Sequence, residues 1–143
     1  MTSPRVFSIA EVEALIPTLS ALVTRQLQRH DEIEAGLGDL ARTAGGLPRT
    51  LADDASDPPA VAALKVELRS RIDHYENGWA DVTELGAVVK DPNVGLVDFY
   101  GRVDGRLVWF CWRLGEETLR YYHDLDAGFS QRRPLRPETR RLN

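Results

Sequence analysis

The sequence holds a single cysteine, Cys111, in 143 residues. One thiol excludes an internal disulfide scaffold and the cysteine-rich zinc modules, and it can give a metal at most one thiolate. No run is long and uncharged enough to cross a bilayer, and the opening MTSPRVFSIAEVEAL has no long apolar stretch. A soluble, cytoplasmic protein with no membrane partner is expected. Lysine is scarce too, two residues against sixteen arginines. Basic residues cluster only at the C-terminus and form no stripe along a helix, so nucleic acid is disfavoured as a partner. HExxH, GxSxG, CxxC and a phosphate-cradling glycine loop are all missing, and no named enzyme class is supported.

The length suits one domain with a modest core that would gain from self-association. The net charge of -4 is unevenly spread. From Gln131 onward five arginines face one glutamate, about +4, which leaves about -8 on the rest of the chain. Residues 131–143 are accordingly expected to be a basic, partly flexible tail.

Two long helices are predicted in the first two thirds. Ser8 and Glu11 have capping-box spacing, and Phe7 stands where it can staple onto the first turns, so a helix should start near Ile9. Val12, Ile16, Leu19, Val23, Gln26, His30, Ile33, Leu37 and Leu40 follow alternating steps of four and three, a coiled-coil-like stripe. Gln26 and His30 occupy seam positions where apolar residues are expected. Pro17 removes one backbone donor after the second turn. TAGGLPRTLADDASDPP is a linker by composition. Beyond it Val61, Leu64, Leu68, Ile72, Tyr75, Trp79, Val82 and Leu85 form a second helical stripe. The expected helices, about 9–43 and about 59–89, make an antiparallel hairpin. The hairpin cannot cover both stripes alone, so a homodimer through the helices is expected.

The period then drops to two. GLVDFYGRVDGRLVWFCWRLG reads as two strands joined by Asp104-Gly105, a type I′ turn signal. A two-residue loop sets Val103 opposite Arg106, Phe99 opposite Phe110 and Val97 opposite Trp112, an apolar face for the helices. The other face sets Tyr100 opposite Trp109 and Asp98 opposite Cys111. TLRYYHDL is a third strand with two registers open to it. A tight turn places His123 on the apolar face opposite Phe110. One residue more places it in a polar row with Asp98 and Cys111. The first buries more hydrophobic surface and is the favoured reading. The predicted fold is α+β, a long antiparallel helical hairpin packed on a three-stranded antiparallel sheet (about 95–125), with residues 1–130 as a single domain.

GLVDF, CWRLGE, HDLDAGF and RRPL, with the opening FSIAEVEALIPTL, resemble the bacterial family called domain of unknown function 2203. The resemblance spans both ends of the chain and implies polar positions at Glu11, Asp98, Glu116, His123, Asp126 and Arg132. It brings no activity with it. These residue types suit a divalent metal ion, with Glu116, His123 and Asp126 as ligands, or a small anionic metabolite bound by Glu11, Asp98, Arg113 and Arg132. Either site would lie at the sheet end. Cys111 reads as a small buried hydrophobe. His30 with Glu34, and His74 with Asp73 or Glu76, form a weaker metal set on the helices. The alternative function is a non-enzymatic dimeric interaction module whose polar residues are structural.

Overall fold

The computed structural model describes residues 4–143. Its elements are α1 (Ile9–Ala44), α2 (Pro59–Glu84), β1 (Val88–Asp91), β2 (Leu96–Val103), β3 (Arg106–Arg113), β4 (Tyr121–His123), β5 (Arg133–Pro134) and α3 (Pro137–Leu142). The chain divides into two compact units. One comprises the residues up to Thr24 with Asp81–Asn143, the other Arg25–Ala80.

In the first unit the expected cap forms. The Ser8 N–H donates to Glu11 Oε1 at 2.9 Å and the Glu11 N–H donates to Ser8 Oγ at 3.1 Å. The helix face that follows buries Ile9, Val12, Ile16, Leu19 and Val23. Phe7 meets Phe99 edge-on, with ring centroids 5.0 Å apart, which seats the start of α1 on the sheet. The end of α2 departs from expectation. Gly86, at φ +100°, stops the helix at Glu84 instead of near 89, and the Phe7 ring fills the space a side chain would need there.

The sheet has five strands rather than three, in the order β1-β2-β3-β4-β5, antiparallel throughout. The two unforeseen strands are short. Val88 and Val89 of β1 had been assigned to the helix that Gly86 ends. β5 is two residues long and includes Pro134, which an edge strand tolerates. The β2–β3 hairpin matches the sequence reading pair for pair, from Val103 opposite Arg106 to Leu96 opposite Arg113, around Asp104 (φ 54°) and Gly105 (φ 78°). Its apolar face buries Val97, Phe99, Val103, Val108, Phe110 and Trp112.

Gly101 lies on that face beneath Phe110. A Cβ there would stand 2.1 Å from a Phe110 ring carbon, and the ring is fully buried. Gly101→Ala should therefore destabilise the protein by about 1–3 kcal/mol, because overpacking outweighs the small backbone-entropy gain. The urea unfolding midpoint measures this, and an unchanged or raised midpoint would show that the ring has room to move.

β4 overturns the favoured register. It pairs His123 with Trp109, Tyr122 with Phe110 and Tyr121 with Cys111, so His123 joins the face of Asp98 and Cys111. The cause is the turn before it. The Glu116 carboxylate accepts from the Arg113 N–H at 2.7 Å, and its carbonyl accepts from Trp112 Nε1 at 2.8 Å. Leu119 is then fixed by its N–H donating to Glu13 Oε2 at 3.1 Å, before the strand begins. These bonds make the connection one residue shorter than the tight turn, with Cys111 opposite Tyr121 rather than Tyr122, a register that matches neither expected alternative but puts His123 on the polar face. Leu125, which the tight turn would bury, is exposed.

Residues 131–143, expected as a tail, contain β5 and α3. Leu135 is buried, and its N–H donates to the Arg120 carbonyl at 2.8 Å. Arg140 forks onto both Glu13 oxygens at 2.9 Å and reaches the Leu119 carbonyl at 2.6 Å. Asn143 accepts from the Ile9 N–H and donates to the Arg102 carbonyl.

In the second unit the two helices pack around Leu40, Val61 and Leu68. Gln26, one of the two polar residues in the stripe, is 1% exposed, and its Nε2 donates to the Tyr75 carbonyl at 2.6 Å. Lys65 is buried as well, and its ammonium ties down the linker through the Ala52 carbonyl at 3.0 Å and Asp57 at 2.8 Å.

Candidate metal centre

Alternation along the strands brings three chemically reactive side chains to one spot. Asp98 is the third residue of β2, Cys111 faces it across β3, and His123 ends β4 on the same face. All three are buried, and one ligand atom from each lies within 4.8 Å of the others. Other side chains on this side complete their surroundings. Tyr100 stacks on Trp109 at 4.0 Å, and the Lys90 ammonium sits 4.0 Å from the centre of the Trp109 ring. Tyr121 lies beside Cys111, and the Arg132 guanidinium is 4.1 Å from the ring centres of both Tyr121 and Phe129.

The hydrogen bonds define the proton inventory. His123 Nδ1 lies 2.9 Å from the Asp124 carbonyl oxygen, which only accepts, so Nδ1 carries a proton. Nε2 lies 2.9 Å from Asp98 Oδ2. One further proton must sit in that contact, either on an imidazolium facing a carboxylate or on a carboxylic acid facing a neutral ring. Burial raises the Asp98 pKa above the ordinary carboxylate value, opposed by the charges of His123 and Lys90 and by the Cys111 thiol. The Cys111 thiol is itself pushed far up, first by burial and then by the Asp98 charge, so without a cation beside it the thiol keeps its proton. Asp98 Oδ1 has no hydrogen-bond partner among the described residues, although it is fully buried. An unsatisfied buried oxygen of this kind costs about 1–3 kcal/mol.

The other expected site residues lie elsewhere. Glu116 faces Arg132, whose Nη1 donates to its two carboxylate oxygens at 3.2 and 3.0 Å. The pair clasps the β3–β4 turn to the C-terminal segment. Glu11 belongs to the α1 cap and pairs with Arg5 at 2.9 Å. The Ser8 backbone N–H, then Arg5, hold its pKa below the ordinary glutamate value. The Arg113 side chain is exposed, with its guanidinium 5.8 Å from the Phe129 ring centre. Asp126 is exposed and outside the cluster. Of the three expected metal ligands only His123 is in the cluster. Asp98, expected to bind an anion, joins it, and so does Cys111, which had been read as a hydrophobe. The signal for Cys111 was available in its position opposite Asp98, and choosing the tight turn removed His123 from their row.

A family model described as "Uncharacterized conserved protein (DUF2203)" matches residues 5–135. The chain belongs to this family. No curated protein and no solved structure matches it. The three clustered residues fall one in each of the stretches GLVDF, CWRLGE and HDLDAGF that carry the resemblance to DUF2203. Among the described residues, no helix is long and apolar enough to cross a membrane.

Proposed function

We propose that this DUF2203 protein binds one divalent metal ion of the zinc class through Asp98, Cys111 and His123. The observation that carries the reading is the buried, partnerless Oδ1 of Asp98, set beside a thiol and an imidazole within 4.8 Å. Mixed O, S and N donors suit zinc and its borderline neighbours, whereas magnesium and calcium call for shells of oxygens. Tetrahedral bonds of about 2.0–2.3 Å place ligand atoms about 3.3–3.8 Å apart, a spacing that falls inside the 4.8 Å enclosing one ligand atom from each of the three residues. Three protein ligands leave one position for water or a small ligand. The Arg132 guanidinium is already committed to Glu116, which speaks against a free anion at this end of the sheet. The reading as a dimeric helical module has less support, because Gln26 spends its hydrogen bond within its own chain.

The test is elemental analysis of untagged protein beside a Cys111→Ala variant, each as purified and after incubation with zinc and desalting. About one retained ion per chain in the parent and none in the variant is expected for a site of this donor set. A parent that stays metal-free after incubation would end the proposal.

A further inference from the structure

A second cluster lies wholly within the helical unit. Arg25, Arg29 and Glu32 of α1 and Arg71 and His74 of α2 line a cleft of about 240 Å³. Helical spacing explains the grouping. Residues 25, 29 and 32 follow steps of four and three along one face of α1, and 71 and 74 are one turn apart on α2. The close approach of the helices comes from two glycines. A Cβ at Gly78 would stand 2.1 Å from Gln26 Oε1, and one at Gly36 would stand 2.7 Å from a Leu68 methyl and 3.2 Å from Arg71 Nη1.

Two of the arginines are held in place, Arg29 by a neutral group and Arg71 by a backbone carbonyl together with the Glu67 carboxylate. Arg29 Nη1 donates to Gln26 Oε1 at 2.7 Å, and Gln26 is itself buried and fixed on the Tyr75 carbonyl. Arg71 Nη1 donates across the helices to the Glu32 backbone carbonyl at 3.1 Å, while its Nη2 meets Glu67. Arg29 forms no ion pair among the described residues. The one acid of the lining, Glu32, reaches Arg25 only at 3.6 Å, beyond charge-assisted hydrogen-bond length. Arg25 and Arg29 are like charges four residues apart, which costs helix stability, and Glu32 at 3.6 Å from Arg25 offsets this for Arg25 while Arg29 keeps an unpaired charge among the described residues.

We infer that this cleft binds a phosphate group, with Arg29 as its fixed donor and Arg25, Arg71 and His74 closing around it. A carboxylate matches one guanidinium fork from one side. A tetrahedral dianion carries two charges and presents acceptors in several directions, as donors on two facing helices require. The site shares no residue with the proposed metal centre, and its success or failure is independent of that reading.

The experiment is an NMR titration of the full chain with inorganic phosphate at constant ionic strength, following backbone amides and arginine Nε–Hε signals. Sodium acetate is the control and glycerol phosphate the ester probe. Expected is saturable movement of signals from residues 25–32 and 71–74, with at least tenfold weaker binding in Arg29→Gln. Arg25→Gln, which removes an exposed side chain, serves as the second variant should the first disturb the fold. Equal affinity for phosphate and glycerol phosphate supports a site for the free ion, and tighter binding of the ester supports one for an esterified phosphate. Non-saturating shifts, acetate binding as tight as phosphate, or unchanged affinity in both variants would overturn the inference.

Discussion

Replacing His123 with alanine should destabilise the fold by about 3–5 kcal/mol, the range found when one partner of a buried charged pair is removed. Asp98 is fully buried, and among the described residues the His123 ring is the hydrogen-bond partner of its Oδ2 while Oδ1 has none. Without the ring, both oxygens of a buried carboxyl are left unsatisfied, and a side-chain-sized void opens beside Trp109. Protonation of Asp98 would relieve the charge but not the lost hydrogen bond. Coupling separates this account from simple loss of packing. In the double variant His123→Ala with Asp98→Ala the orphaned acid is gone, so the combined cost should fall short of the summed single costs by about 1–3 kcal/mol. Urea unfolding of the four proteins supplies the cycle. Strictly additive costs would mean that the two side chains do not stabilise one another.

How far the sequence led is clearest where two effects had to be weighed. Asp104-Gly105 demanded positive φ, and every pair of the β2–β3 ladder followed from that local requirement. The first helix was equally legible, because a capping box and a long apolar period agree with one another. β4 was different. Counting hydrophobic residues favoured the register with His123 opposite Phe110, and the deciding forces, which shorten the connection by one residue, were polar and distant: Glu116 folding back onto Arg113 and Trp112, and Glu13 of α1 catching the Leu119 N–H. Glu13 and Leu119 are far apart in the chain, and no periodicity reveals such a bond. The site failed to appear for the same reason, since shifting a strand by one residue moves each side chain to the opposite face. Once His123 crossed over, Cys111 changed meaning from a buried hydrophobe to a candidate ligand.

Asp98→Asn separates stability from metal binding. With Nδ1 protonated by its bond to the Asp124 carbonyl, His123 Nε2 can accept from the asparagine amide, which reproduces the hydrogen bond of a protonated Asp98 in the same volume. The variant should unfold within about 1 kcal/mol of the parent, the scale of a single neutral hydrogen bond. Metal affinity should fall at least about a hundredfold, because a neutral amide replaces the anionic ligand. Proton release adds an independent count. In the parent the ion displaces the Cys111 thiol proton and the proton shared between Asp98 and His123, about two per ion, whereas residual binding to the variant would displace only the thiol proton. Calorimetric zinc titrations in buffers of different ionisation enthalpy measure this number directly. A variant that binds as tightly as the parent, or a parent that releases no protons, would show that the ion avoids the Asp98–Cys111–His123 row.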